Sequence, residues 1–213
     1  MNSKLLKLFV FGNGGAFKEI APLINKQKIY NIVVVVKLDQ TNIIKDQLYE
    51  TIDEDTFFKT YKDEEVNVAI FIGDLGLRKK IAELIKNKIN FAVFPNFNFT
   101  DIDINLNNSE GNIVMPGTTF TDITLIIGSF NYFNFNCFIA HDVTVKSFNT
   151  FSPHVKISGN CKIGSNNFLG TGCILFPKVS IENSSIGAGA VVKKKSLTNK
   201  IIDVPKSIIY EKR

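Results

Sequence analysis

Two hydrophobic periods follow one another along the chain. In residues 1–94, strand-like apolar runs alternate with helical ones. Residues 5–11 form an apolar run that stops at Gly12-Asn13-Gly14-Gly15. Residues 29–36 are rich in β-branched side chains, as in a strand buried on both faces, and residues 66–72 are a third run, ending at Gly73-Asp74. Between Gly76 and Asn90, the residues Leu77, Ile81, Leu84, Ile85 and Ile89 fall at helical spacing with lysines opposite. Residues 91–94 give a short fourth strand, closed by Pro95. Strands alternating with helices predict right-handed crossovers and a small parallel sheet, a Rossmann-like α/β domain over residues 1–94.

From Pro95 to the C-terminus, residues 95–213, the period is six. Large apolar side chains recur at Ile127, Phe133, Ile139, Val145, Phe151, Ile157, Ile163, Leu169, Leu175 and Ile181. A smaller class sits four residues after these positions: Cys137, Val143, Val155, Cys161, Cys173 and Val179, with Asn131, Asn149 and Asn167 in the same register. This is the hexapeptide signature of a parallel β-helix, in which six residues make one flat face and three faces make one coil. Equivalent positions on successive coils should lie three repeats apart, as Ile139, Ile157 and Leu175 do. The register slips by one between Ile181 and Ile186, then resumes as Ile186-Gly187-Ala188-Gly189-Ala190-Val191. All three cysteines share one repeat position, which makes them small interior fillers rather than nucleophiles.

Composition narrows the chemistry. The 25 basic and 20 acidic residues leave a formal charge of +5 spread over the chain, too mild to announce nucleic acid. No apolar run reaches the roughly 18 residues of a membrane span, and the opening Met1-Asn2-Ser3-Lys4 runs directly into a strand. Neither membrane insertion nor a cleaved secretory precursor is expected, and the cytoplasm is the default compartment. Three cysteines without a CxxC pair give neither a disulfide framework nor a cysteine zinc site. Two histidines cannot supply a three-imidazole metal site, so no metal is expected.

Several runs carry a resemblance: Phe138-Ile139-Ala140-His141-Asp142-Val143, residues 152–160 from Ser152 to Asn160, residues 167–172 from Asn167 to Gly172, and Ile186-Gly187-Ala188-Gly189. They resemble the bacterial sugar acetyltransferases of the left-handed β-helix class. The particular likeness is to nucleotide-amino-sugar N-acetyltransferases and sialic acid O-acetyltransferases with an N-terminal Rossmann-like domain. Gly12-Asn13-Gly14-Gly15, Asp39, Gly73-Asp74 and Arg78 echo that domain, and Pro205-Lys206 echoes the family's tail. The resemblance implies a homotrimer, with acetyl-CoA as co-substrate in the groove between neighbouring β-helices.

Acetyl transfer from a thioester needs a base for the nucleophile's proton and a donor at the developing oxyanion. A histidine suits the first task, and a neighbouring carboxylate fixes its tautomer and steadies the imidazolium. The resemblance gives these roles to His141 and Asp142. It gives the oxyanion donor to the N–H of Gly159, one coil beyond His141, and sets Gly172, Gly189 and Lys193 along the acetyl-CoA groove. Without the resemblance, His141 is a surface imidazole at a corner, and residues 193–195, three lysines, are a solvated run. His154 stands where relatives usually have Gly, on an expected exposed face.

In the N-terminal domain, Gly12, Asn13, Gly14 and Gly15 follow a strand and open a helix, a ready site for an anion. Asp39, beyond the second strand, could accept hydrogen bonds from a ribose or base. With Gly73 and Asp74, these residues form the expected site for a nucleotide-linked amino sugar. Ala16-Phe17 departs from the His-Gly that relatives often carry there. The reading is an acetyl-CoA-dependent N-acetyltransferase acting on a nucleotide-linked amino sugar for bacterial surface glycan. The alternatives are O-acetylation of a sialic-acid-type sugar and, more distantly, a non-catalytic trimeric scaffold that binds a nucleotide sugar.

Overall fold

The computed structural model describes residues 5–36, 48–122, 124–193 and 196–203, excluding the side chain of Val36. The chain divides into two compact units. One holds residues up to 99 together with 106–113, and the other holds 100–105 together with 114 onward. The change of period at Pro95 therefore falls inside the first unit.

The first unit is a five-stranded parallel sheet. Its strands are β1 (Leu6–Phe11), β2 (Tyr30–Val36), β3 (Glu50–Asp53), β4 (Glu65–Ile70) and β5 (Phe91–Val93), in the order β3-β2-β1-β4-β5. The centres of β1 and β2 are apolar and buried, as continuous runs in a doubly covered sheet should be. Helix α1 (Gly15–Gln27) buries Phe17, Ile20, Ala21 and Ile24, the one-face spacing of an amphipathic helix.

Two elements exceed the sequence reading. Strand β3 is four partly exposed residues with no apolar run. Helix α2 (Glu54–Thr60) is only seven residues, started by the Asp53 carboxylate, which accepts the Thr56 N–H at 2.8 Å. Helix α3 (Leu75–Lys88) matches the expected segment, but its inward face is Arg78, Ile81, Ala82 and Ile85. Leu77, expected in the core, is 46% exposed, whereas Arg78 is 3% exposed and donates from Nη1 to the Ile72 carbonyl at 3.1 Å. The guanidinium can be buried because the main chain supplies an acceptor.

The second unit is a left-handed parallel β-helix, the fold shared by the structures compared below. Tyr132 pairs with Thr150, Phe138 with Lys156 and Thr144 with Lys162, so a coil of three repeats is seen on each of three sheets. All ten positions of the six-residue series are buried, none more than 7% exposed, and the three cysteines sit among them. The slip after Ile181 is present: Ile174 pairs with Val191, one position short of three full repeats. A further position is lost afterwards, since Ser180 pairs with Ser196 and Ser185 with Ile201.

Each corner turns through a residue in the left-handed region. Phe130, Asn136, Asp142, Phe148, His154 and Asn160 have φ between 57° and 62°, spaced six apart. Asn, Asp and Gly adopt this conformation readily, while other side chains pay a penalty of about 1 kcal/mol. His154, with φ 62°, is one of the side chains that carry this penalty. Inside one corner, Asn149 donates from N and Nδ2 to Asn131 Oδ1, both at 3.0 Å, and Asn167 does the same to Asn149 Oδ1 at 2.9 Å. The ladder closes on Ser184, whose N–H donates to Asn167 Oδ1 at 2.9 Å, where the coil shortens.

Candidate active site

His141 and Asp142 are the two turn residues of one β-helix corner, both exposed. His141 Nδ1 lies 2.7 Å from Asp142 Oδ2. With Asp142 ionised, Nδ1 carries the proton and donates it, which leaves Nε2 as the acceptor nitrogen. Asp142 stands in the left-handed region, φ 57°. A β-carbon added at Gly159 would lie 2.7 Å from His141 Cε1 and Nε2, so the ring rests against the bare α-carbon of the next coil. His141, Asp142 and Gly159 are thus brought together as the sequence predicted.

A second acid joins them. Asp122 Oδ2 accepts the Asp142 N–H at 3.4 Å, while Oδ1 takes the Thr124 N–H and hydroxyl at 2.8 and 2.6 Å. The hydrogen bonds from Thr124 hold the Asp122 carboxyl below the usual carboxylate range, with smaller help from Asp142 N–H and the His141 charge. Its signal in the sequence was slight. Phe120 stands seven positions before Ile127 rather than six, so this coil is one longer than three repeats and stacks Asp122 beside His141.

The glycines and lysine expected along the acetyl-CoA groove divide. Gly172 and Gly189, with φ 67° and 69°, occupy the corner of Asn136 and His154, a different corner from that of His141. Their lack of a side chain serves the turn, and the space where a β-carbon would stand is open at both. Lys193 follows a strand that stacks on Ile174–Leu175, which brings its ammonium 5.1 Å from the ring of Phe176. Phe176, Ser158 and Ala140 form a ladder in successive coils, so Lys193 continues a column that starts beside His141. Lys194 and Lys195 lie outside the described residues, as do Pro205 and Lys206.

The first unit holds a cavity of about 430 Å³ at the C-terminal ends of β1 and β4. The chain leaves β1 toward β2 on one side and returns to β4 on the other, so this is the topological switch point where such sheets bind ligands. Gly12, Asn13, Gly14, Gly15 and Gly73 all line it. Gly12 has φ 103°, and a β-carbon there would meet the Phe71 carbonyl at 2.7 Å. Gly14 caps α1 without a side-chain acceptor, and the first turn carries no acidic residue, leaving the amides to an external anion.

Asp74, expected at the substrate site, is not among the residues that line the cavity. Its carboxylate accepts the Leu77 N–H at 2.7 Å and starts α3. Asp39 lies outside the described residues. The carboxylate that does line the cavity is Glu54, first residue of α2, and Leu77 supplies an apolar wall. Ala16 meets the cavity and Phe17 is core, packed against Tyr49 and Phe71. Among the described residues, no group of three or more His, Cys, Asp or Glu is disposed to hold a metal ion, and no helix is long and apolar enough to cross a membrane.

A parallel-sheet unit with a switch-point cavity, followed by a hexapeptide-repeat β-helix with an exposed His–Asp corner, is an architecture similar to that of the sugar N-acetyltransferases with hexapeptide repeats. Residues 7–85 match the PglD N-terminal domain. Over 186 residues the chain is 27% identical to the GDP-perosamine N-acetyltransferase of Escherichia coli O157:H7, covering 84% of this chain and 82% of that protein. Two solved structures share its fold over nearly the full length. One is a variant of perosamine N-acetyltransferase from Caulobacter crescentus with CoA and GDP-perosamine (TM-score 0.78, 19% identity, 93% of each chain). The other is the acetyltransferase domain of PglB from Neisseria gonorrhoeae FA1090 with acetyl coenzyme A (TM-score 0.75, 21% identity, 94% of this chain and 97% of that one).

Proposed function

We propose that this chain transfers the acetyl group of acetyl-CoA to the amine of a nucleotide-linked amino sugar, a step in building bacterial surface glycan. The observation that carries the reading is the 2.7 Å His141–Asp142 pair at an exposed corner with Gly159 against the ring. Nε2 of His141 takes the proton as the amine nitrogen attacks the thioester carbon. Asp142 holds the opposite nitrogen and offsets the charge of the imidazolium. The Gly159 N–H stabilises the oxyanion of the tetrahedral intermediate. That intermediate collapses with loss of CoA thiolate, which takes up a proton as free CoA.

The nucleotide is held in the switch-point cavity, its phosphates on the glycine turn and α1 N-terminus and its sugar or base donors on Glu54. The working assembly is a homotrimer, in which acetyl-CoA lies between neighbouring β-helices with Lys193 near its phosphates. The test is CoA release from acetyl-CoA in the presence of GDP-, UDP- and dTDP-linked amino sugars, beside matching sugars that carry hydroxyl in place of amine. GDP-perosamine is the first to try, since the E. coli relative is named for it. Turnover with an amino sugar and none with the hydroxy sugars supports the reading. Turnover with a free sialic-acid-type sugar alone, or with no sugar, overturns it.

A further inference from the structure

We propose that Asp122 is a positioning residue for the base: its carboxylate replaces the main-chain acceptor of the His141 corner and sets a second negative charge beside the imidazole. The inference rests on the reading of His141 as the base and adds a residue to it.

The corner at Asp142 is built differently from its neighbours. At Asn160, Lys178, His154 and Gly172, the left-handed residue donates its N–H to a main-chain carbonyl of the preceding coil, at 2.9–3.1 Å. For Asn160 that carbonyl belongs to His141, and for Lys178 to Gly159. By the same stacking, the acceptor for Asp142 should be a main-chain carbonyl of the coil before. The acceptor is instead the Asp122 side chain, Oδ2 at 3.4 Å. A carboxylate accepts here what a main-chain carbonyl accepts at those four turns, and it sits beside the only histidine paired with an acid among the described residues.

Two effects follow. The Asp142 main chain is tied through a carboxylate locked by Thr124 N–H and hydroxyl, which limits the arcs through which the Asp142 side chain can swing away from Nδ1. The second carboxylate also adds to the field that favours a positive ring as the proton arrives. Coulomb attraction is mutual, and the His141 charge is among the causes that lower Asp122. The titratable groups that face the ring are therefore Asp142 on its own turn and Asp122 on the coil before, with uncharged Gly159 on the coil after.

The experiment compares full-length wild type with Asp122→Asn, which keeps the oxygen acceptor and loses the charge, and Asp122→Ala, which loses both. With two histidines in the chain, the imidazole Cε1–H of His141 can be followed by NMR, and His154→Asn identifies it. Asp122→Asn should lower the His141 titration midpoint relative to wild type, since it removes one of the two negative charges beside the ring. The acid limb of kcat/KM should move down with it. Asp122→Ala should lower kcat about tenfold with both KM values within about twofold, and both variants should melt near wild type. An unchanged midpoint and pH profile in Asp122→Asn overturns the proposal, as does a kcat in Asp122→Ala equal to wild type. The midpoint is read without substrate, so a wild type that acetylates no sugar would sink the proposed function and still leave Asp122 testable.

Discussion

The ring of His141 occupies the space that a side chain at position 159 would need: a β-carbon on Gly159 would stand 2.7 Å from both Cε1 and Nε2. The neighbour that must give way is the tip of an exposed, rotatable side chain, not main chain. Gly159→Ala should therefore fold and melt close to wild type while turning Nε2 away from its working position. The expected loss in kcat/KM is about 10²-fold, the scale of an ångström misplacement. Steady-state kinetics beside a thermal melt decide it. A large fall in melting temperature with activity retained per folded molecule would refute the placement of the ring.

Removing the ring itself isolates its chemistry. His141→Asn should lower kcat by about 10²–10⁴-fold, the contribution of a positioned general base. The side chain is 63% exposed, so stability should be unchanged. A variant that keeps wild-type kcat would end the proposed mechanism.

The cavity of the first unit yields a split between binding and folding. Glu54→Gln should raise KM for the nucleotide sugar several-fold, with KM for acetyl-CoA unchanged. Gly12→Ala combines φ 103° with a 2.7 Å approach to the Phe71 carbonyl and should unfold at clearly lower temperature, by about 2–3 kcal/mol. Isothermal titration with GDP, UDP and dTDP on wild type and Glu54→Gln measures the first effect.

The thiols supply a pH test. Burial pushes Cys137 and Cys173 up to about 12, and Cys161 rises for the same reason. The folded protein should resist alkylation at pH 8 and react at all three cysteines once unfolded. A raised folded value means that the neutral thiol is favoured in the native state. Its stabilising effect is full below the unfolded thiol range of about 8.5 and is lost as pH climbs toward 12. Denaturant melts at rising pH should weaken from about pH 8.5 upward, and replacement of Cys137 and Cys173 by Ala should flatten that slope.

Asn149 accepts from Asn167 and donates to Asn131 Oδ1 and the Gly164 carbonyl, all within a fully buried ladder. Asn149→Ala would leave several buried groups without partners and should cost about 3 kcal/mol in urea unfolding.

The β-helix was readable residue by residue because one buried side chain every six positions is a demand that few other folds make. The His141–Asp142–Gly159 cluster followed from it, since a stacked coil turns an interval of three repeats into a contact. Strand β3 and helix α2 left no such trace. Four half-exposed residues and a seven-residue helix do not complete a hydrophobic period, and with them Glu54 escaped notice. Asp122 was hidden because its coil runs one position past the repeat. Resemblance alone sets Gly172 and Gly189 along the acetyl-CoA groove, and what the fold adds is that both stand at left-handed turn positions.

Coils shorten by one position and then by another toward the C-terminal end: Phe138 pairs with Lys156, Ile174 with Val191 and Ser185 with Ile201. A layer copied from the middle of the stack would find matching rungs above and below if inserted beside its source. Placed after the last coils it would meet a shorter perimeter, with its rungs out of step. Duplication of a layer would thus keep register in the interior of the stack and lose it beyond the shortened coils.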